Sequence, residues 1–292
     1  QNIKTLKKQD FPLDKAIAGN CHLMKPLCHS SHDRDAFYAI LNESLDACIK
    51  KYLPHFGVEQ LSVKEKLKNL VRFFLNVKRV SGWSLGTWLK NFRYNFFCEQ
   101  VKGNVLEGKY FIINKYCTIV LESKAQLILN APFYFGNKRI KGSRLDSRLL
   151  IESGGRMEIK YGSYNVAYGA DIEVFQNAIL EIGGELGANI GLTIICADHI
   201  SIGQHTGCGR NVTIRDNNGE HFISIRGYKT SSPVTIKEHV WLTESCTVMP
   251  GAVIEPGAII SARSVVSGHI PAFSIVKGDP AVVVEKNIVW KG

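Results

Sequence analysis

The chain has 292 residues, 45% of them hydrophobic, with 36 Lys+Arg against 26 Asp+Glu and a formal charge of +10. That is enough apolar material for a large core, as one elongated domain with an appendage or as two domains. No apolar run approaches the roughly 20 residues that cross a bilayer, and residues 1–8 lack the apolar segment of a signal peptide. The eight cysteines are scattered without a CxxC pair, which is the pattern of reduced, buried thiols and a cytoplasmic location.

The positive charge is uneven. Residues 1–100 hold 16 Lys+Arg and 9 Asp+Glu, or +7 of the total, a tilt toward an anionic membrane surface, an acidic substrate or nucleic acid.

Residues 1–30 read as loop or extended arm. Phe37, Ile40, Leu41, Leu45 and Ile49 have helical spacing, so a helix is expected over 35–53, with Ser31 or Asp33 as N-cap and Pro54 as its stop. A second helix opens at Ser62, where Glu65 completes a capping box, and runs through Leu75. A basic, aromatic stretch follows, with Lys78, Arg79, Trp83, Trp88, Lys90, Phe92, Arg93, Tyr94, Phe96 and Phe97. It could seal the open end of a coil or lie on a membrane surface. Nucleic-acid binding is not expected, because no recognition motif accompanies the charge.

From about Gly103 the texture changes to short β-branched runs at 110–113, 118–121, 126–129, 149–151 and 157–159. The spacing becomes strict near the C-terminus. Ile236, Leu242, Val248, Ile254, Ile260 and Val266 are six apart, and four positions after each of the first five stands a compact residue: Val240, Cys246, Ala252, Ala258 and Ser264. A period of six fits neither a helix nor simple alternation; it fits a parallel β-helix whose inward side chains stack one coil apart, at about 4.8 Å. Between Ile194 and Ile202 the interval is eight, so two residues bulge at a corner. Ile214 and Ile236 are 22 apart; set against a coil of 18, this predicts four residues extruded within 215–235. Loops forced from a rigid repeat are common sites of function.

In order along the chain come Ile202-Gly203, then Arg215 to His221, Pro233-Val234-Thr235-Ile236, and Val240-Trp241-Leu242. Pro250-Gly251-Ala252-Val253-Ile254, Ser264-Val265-Val266, Ile270-Pro271 and Gly278-Asp279-Pro280-Ala281 complete the set. This ordered set resembles the left-handed β-helix, or hexapeptide-repeat, acyltransferases, and is closest in pattern to those that O-acetylate bacterial surface polysaccharides. The two expected helices and the basic stretch make 1–102 an α-helical N-terminal extension; the resemblance implies a left-handed parallel β-helix over 103–292, with a catalytic loop at 215–235 and a tail from about 270. It implies a homotrimer with clefts between prisms, in which acetyl passes from acetyl-CoA to a sugar hydroxyl of capsule, lipopolysaccharide or exopolysaccharide. No metal is expected.

His221 matches the family's catalytic histidine, and imidazole suits removal of a hydroxyl proton near neutral pH. Glu220 and Asp216 are candidates to orient it, as is a backbone carbonyl. Asn189 matches an acceptor-contacting asparagine, or is a corner residue in a left-handed backbone. The resemblance places Trp241, Ala262, Ser267 and Gly268 along the coenzyme. A lysine common at the position of Gly268 is absent, so Lys277, Lys286, Arg263 or His269 must meet the coenzyme phosphates. N-acetylation of an amino nucleotide-sugar and a non-catalytic trimeric scaffold are the alternatives. A zinc hydratase would need a closely spaced histidine pair, which His199, His205, His221 and His239 lack.

Overall fold

The computed structural model describes residues 61–291 apart from Trp83, Leu186, residues 220–223 and Ile225. The arm over 1–30, the helix over 35–53, Trp83, Glu220 and His221 all lie outside the described residues. Residues Ser62–Gly292 form one compact unit.

Three sheets of eight, nine and seven strands, parallel except for the last pair of the nine-stranded sheet, wrap the chain into a triangular coil. Each turn visits three faces in order: face I (for example Val234–Ile236), face II (Trp241–Leu242) and face III (Thr247–Val248). The six-residue repeat is one face, and three faces make a coil. Ile236 pairs with Ile254, Leu242 with Ile260 and Val248 with Val266, each three repeats further along the chain. All six are buried, as are Val240, Cys246, Ala252, Ala258 and Ser264 at the corners. Because side chains alternate across a strand, each short strand sends one residue into this stack and one out to the face.

The coil is wider at its start. Apart from the enlarged turn from Thr213 to Thr247, its turns on face III shorten, running from Cys117 to Ser147, from Asp171 to Thr193, from Thr193 to Thr213 and, at the regular length of three repeats, from Thr247 to Val265. Aromatic rings fill the broad end: Phe111 stacks on Phe133 at 4.9 Å, and Phe133 on Tyr164 at 5.5 Å. Of the expected strands, Gln126–Leu129 has the predicted limits, and the other four differ by one or two residues at their starts.

The loop is longer than its spacing predicts. Ile202 pairs with Ile236, whereas in the next coil Ile236 pairs with Ile254, so sixteen positions are extruded rather than four. Ile214 and Ile236 lie on adjacent faces, III and I, one six-residue step apart. Counting a whole coil between them hid twelve positions of the insertion.

Helix α1 (Val63–Ser81) begins with the expected capping box of Ser62 and Glu65. Its Phe73 and Val77 pack on Tyr110 and Ile112, on the outer side of face II. Helix α2 (Leu85–Phe96) closes the open end of the coil. Asn91 donates to the carbonyl of Ile113 and accepts from its N–H, both at 2.8 Å. Asn95 does the same to Phe111 at 2.7 and 2.8 Å. Four helical residues rise about 6 Å and two strand residues about 6.6 Å, so the paired asparagines imitate a further strand. On face III, Lys90 Nζ donates to the Cys117 carbonyl at 2.7 Å, and the Tyr94 hydroxyl to that of Ile119 at 2.9 Å. The end is sealed mainly by amides rather than by rings. Residues 62–102 therefore share core and hydrogen bonds with the coil, and 102 divides no separate bodies.

Candidate active site

The extruded segment leaves the corner between faces III and I, after Thr213–Arg215 and before Val234–Ile236. Its base is a closed neck. Asn217 bridges Ser231, the Asn218 N–H donates to the Thr230 carbonyl at 3.0 Å, and the Ser232 N–H to that of Asp216 at 2.7 Å. One coil earlier, the two bulged residues are Ala197 and Asp198, between Thr193–Cys196 and His199–Ile202. Their N–H groups both donate to the buried Asp216 carboxylate, at 2.7 and 2.9 Å. Bulge and loop are thus one device: the extra residues turn two amides toward the acid that anchors the neck. Both Asp216 oxygens accept from the bulge, so the carboxylate ties the loop's base to the coil before it.

Face II carries the other half of the site. Its outward column runs Asn165, Gly187, Gly207, Trp241, Ile259 and Ile275, in register. A cleft of about 790 Å³ opens over it, lined by Asn189, Gly207, Arg210, Trp241, Ile259 and Ala262 among others. The size suits a small-molecule site, typically about 300–1,000 Å³. Glycine at 187 and 207 leaves the floor bare: a Cβ at 187 would meet nothing within 4 Å, and one at 207 only the edge of Trp241, at 3.9 Å. The Trp241 indole is 43% exposed, standing as a wall.

Asn189 sits in this cleft with its side-chain oxygen accepting from the Ile190 N–H at 2.8 Å. The left-handed residue of its corner is Gly191, φ 78°, so a demand for positive φ does not explain the asparagine. Asn189, Trp241 and Ala262 therefore come together. Ser267 and Gly268 do not join them; they form the next III-to-I corner but one below the loop, exposed, and this corner has two residues where a regular one has four. Gly268 takes φ 80° to make so tight a turn. Lys277 and Lys286 are exposed on the final pair of face II, Ser274–Gly278 and the antiparallel Ala281–Lys286. His269 lies on face I beside Glu255, at 3.4 Å.

Trp290 is the site neighbour that spacing misses. It lies beyond the repeat, stacks on His239 at 4.0 Å and packs 5.8 Å from Trp241, while His239 Nε2 lies 3.0 Å from its carbonyl oxygen. Only a lone tryptophan near the end hints at it. His239 is thereby occupied, and His205 pairs with Glu185 at 3.1 Å; among the described residues no His, Cys, Asp and Glu group could hold a metal. Burial raises the Cys117 thiol to about 11 and the Cys246 thiol to about 12, so neither is a nucleophile near neutral pH.

No family model matches the chain. A protein described as the lipopolysaccharide biosynthesis O-acetyl transferase WbbJ of Escherichia coli (strain K12) is 28% identical over 140 residues, 44% of this chain and 71% of that one. The galactoside O-acetyltransferase of Lactococcus lactis subsp. lactis (strain IL1403) is 33% identical over 111 residues, and the chain spans 53% of its length. The polysialic acid O-acetyltransferase of Escherichia coli O1:K1 / APEC is 30% identical over 95 residues, 31% of its length. Among solved structures, the polySia-specific acetyltransferase NeuO is similar with a TM-score of 0.46 and 19% identity, over 66% of this chain and 88% of that one. The chain thus combines a triangular coil and ordered hexapeptide motifs with sequence similarity to O-acetyltransferases, and resembles the left-handed β-helix, hexapeptide-repeat acyltransferases.

Proposed function

We propose that this chain is an acetyl-CoA-dependent O-acetyltransferase acting on a sugar hydroxyl of a bacterial surface polysaccharide, with His221 as general base. The observation that carries the reading is the enlarged coil itself. It runs from Gly207 to Trp241, two strands that floor and wall the cleft, and the insertion containing His221 lies between them. The sequence similarity to O-acetyltransferases gives the acyl group and the acceptor class.

The imidazole takes the hydroxyl proton as the oxygen attacks the thioester carbonyl; the C–S bond breaks and the proton passes to the departing thiolate. Trp241, Ile259 and Ile275 offer apolar surface for the pantetheine arm. Arg210 in the cleft, with Lys277, Lys286 and Arg263 on the same side, would meet the phosphates.

The cleft lies on face II, whereas the neck of the loop leaves the III-to-I corner. A homotrimer, in which a neighbouring copy brings its own corner to this face, joins the two halves and brings Ser267 and Gly268 to the coenzyme. No helix among the described residues is long and apolar enough to cross a membrane. Exposed Leu85, Leu89, Phe92 and Phe97 beside Arg93 support peripheral contact with the inner face of the membrane, where a cytoplasmic enzyme would meet a lipid-linked acceptor.

The test is thiol release from acetyl-CoA across a panel of sugars and oligosaccharides, comparing wild type with His221→Ala. Acceptor-dependent release should fall by about 10²–10⁴ in the variant. Equal release by both removes His221 from the chemistry. Absence of both release and calorimetric acetyl-CoA binding favours a non-catalytic scaffold.

A further inference from the structure

Face II has a second cleft at its broad end, of about 910 Å³. Six cations line it: Arg79 from α1, Lys115, and Lys138, Arg139, Lys141 and Arg144 from the insertion between Phe133–Asn137 and Ser147–Ile151. No Asp or Glu is among the lining residues. Among the described residues, none of the six forms an ion pair. The neighbouring outer surfaces differ sharply. There Arg148 pairs with Asp171 and Glu173, Arg156 with Glu158, and Lys160 with Glu181. Clustered like charges repel, so six unneutralised cations on one cleft are a cost that an anionic ligand would remove.

The cleft is built rather than incidental. Arg139 donates to the carbonyls of Leu145 at 2.6 Å and Ser143 at 3.4 Å, and its guanidinium lies between the Tyr116 and Tyr168 rings, 5.3 and 5.2 Å from their centroids. One side chain thereby folds the insertion back and holds Lys138, Lys141 and Arg144 around the opening. Asn137 and Asn165 join across it, Nδ2 to Oδ1 at 3.1 Å, which adds amides suited to hydroxyl groups. Asn165 is also in register with Gly187, Gly207 and Trp241. Three strand spacings, about 14 Å, therefore separate this cleft from the wall of the other, over a floor of glycines.

We propose that this cleft binds an anionic glycan, a polymer with repeated carboxylates, and leads it along face II toward the transfer cleft. The binding itself stands on the cations; that the second cleft is where the polymer is acylated rests on the function proposed above. A glycan fits better than nucleic acid, which uses free aromatic faces as stacking platforms. Here cations already cover the rings: Arg139 and Lys115 on Tyr116, Arg79 on Tyr134.

Calorimetry on the full chain tests this with oligogalacturonate decamers, galacturonate monomer, neutral maltodecaose and oligothymidylate, at low and high salt. The charged decamer should bind, weaken with salt, and lose at least about tenfold in affinity in the K115Q/K141Q/R144Q variant with an unchanged Tm, while the neutral decamer does not bind. Four results overturn the proposal: no binding of the charged decamer, undiminished binding by the variant, equal binding of maltodecaose or of the monomer, or tighter binding of oligothymidylate. Acetyl-CoA binding is measured on the same wild-type sample. Its absence alongside intact glycan binding defeats the acyl-transfer reading and leaves this one; the converse defeats this one alone.

Discussion

The coils before Ile182 and those after it build the same three faces from different materials. The early coils use strands of mostly four or five residues, long turns such as that from Cys117 to Ser147, stacked Phe and Tyr inside and ion pairs outside. The later ones use mostly two-residue strands, turns that reach three repeats after Val234, and aliphatic side chains, and their outer face II sets glycine at 187 and 207 beside Trp241. A long strand spends its outward positions on neighbours; a two-residue strand with glycine outward leaves room for a ligand. The Trp241 cleft thus lies over the short strands, while the broad end supplies closure through α2 and charge through its insertion.

The largest expected effect lies at the closed end. Asn91→Leu removes both bonds to Ile113 and strands a buried donor and acceptor, at about 1–3 kcal/mol for each. Chemical unfolding should show a loss of several kcal/mol, and light scattering should show association through the exposed edge. If Asn91→Leu is as stable as wild type, the asparagine pair is not what closes the coil.

Asp216→Asn comes next, because an amide cannot accept from both the Ala197 and Asp198 N–H groups as the carboxylate does. A loss of about 1–3 kcal/mol is expected, with kcat reduced and acetyl-CoA affinity kept, since the cleft is on another face. A shifted pH–rate profile with unchanged stability would instead make Asp216 an orienting group for His221.

Two nearby glycines sharpen the contrast between face II and its corner. A Cβ on Gly203 would collide with the backbone of Lys237 and Glu238, so Gly203→Ala should cost about 1–3 kcal/mol as an overpacked site. Gly207→Val points into the open cleft; its Tm should barely move while KM for acetyl-CoA or the acceptor rises severalfold. Equal destabilisation by both would mean that the floor of the cleft is structural.

These details mark what the sequence could show. The stack was legible because every inward residue from Ile236 to Val266 must match its counterpart one coil away, a constraint that leaves a period. The capping box was legible because it is local. Asn91, Asn95 and Trp290 were not, since their partners are remote in the chain and follow no period. The length of the insertion was misread for a related reason: spacing records faces, and a face count is the same in any coil. Of the candidate site, Asn189, Trp241 and Ala262 were found together, whereas the anchoring role of Asp216 depends on a bulge whose amides only the fold aligns.

The smallest effect sits where the two halves of the coil meet. On face I, Glu181 lies 3.1 Å from Lys160 Nζ and 3.3 Å from His199 Nε2. Partial burial raises the Glu181 pKa, but the hydrogen bonds and charges of Lys160 and His199 outweigh it and leave the carboxyl below its ordinary 4.5. A depressed carboxylate binds protons more weakly when folded than unfolded. Its contribution is therefore full above about pH 4.5 and is lost as the pH falls through the lower folded value. For a pair this exposed it should amount to less than about 1 kcal/mol. Comparing unfolding of wild type and Glu181→Gln over that window should show a difference that shrinks with acid. A difference that stays constant there would place the role of Glu181 in packing across the junction rather than in charge.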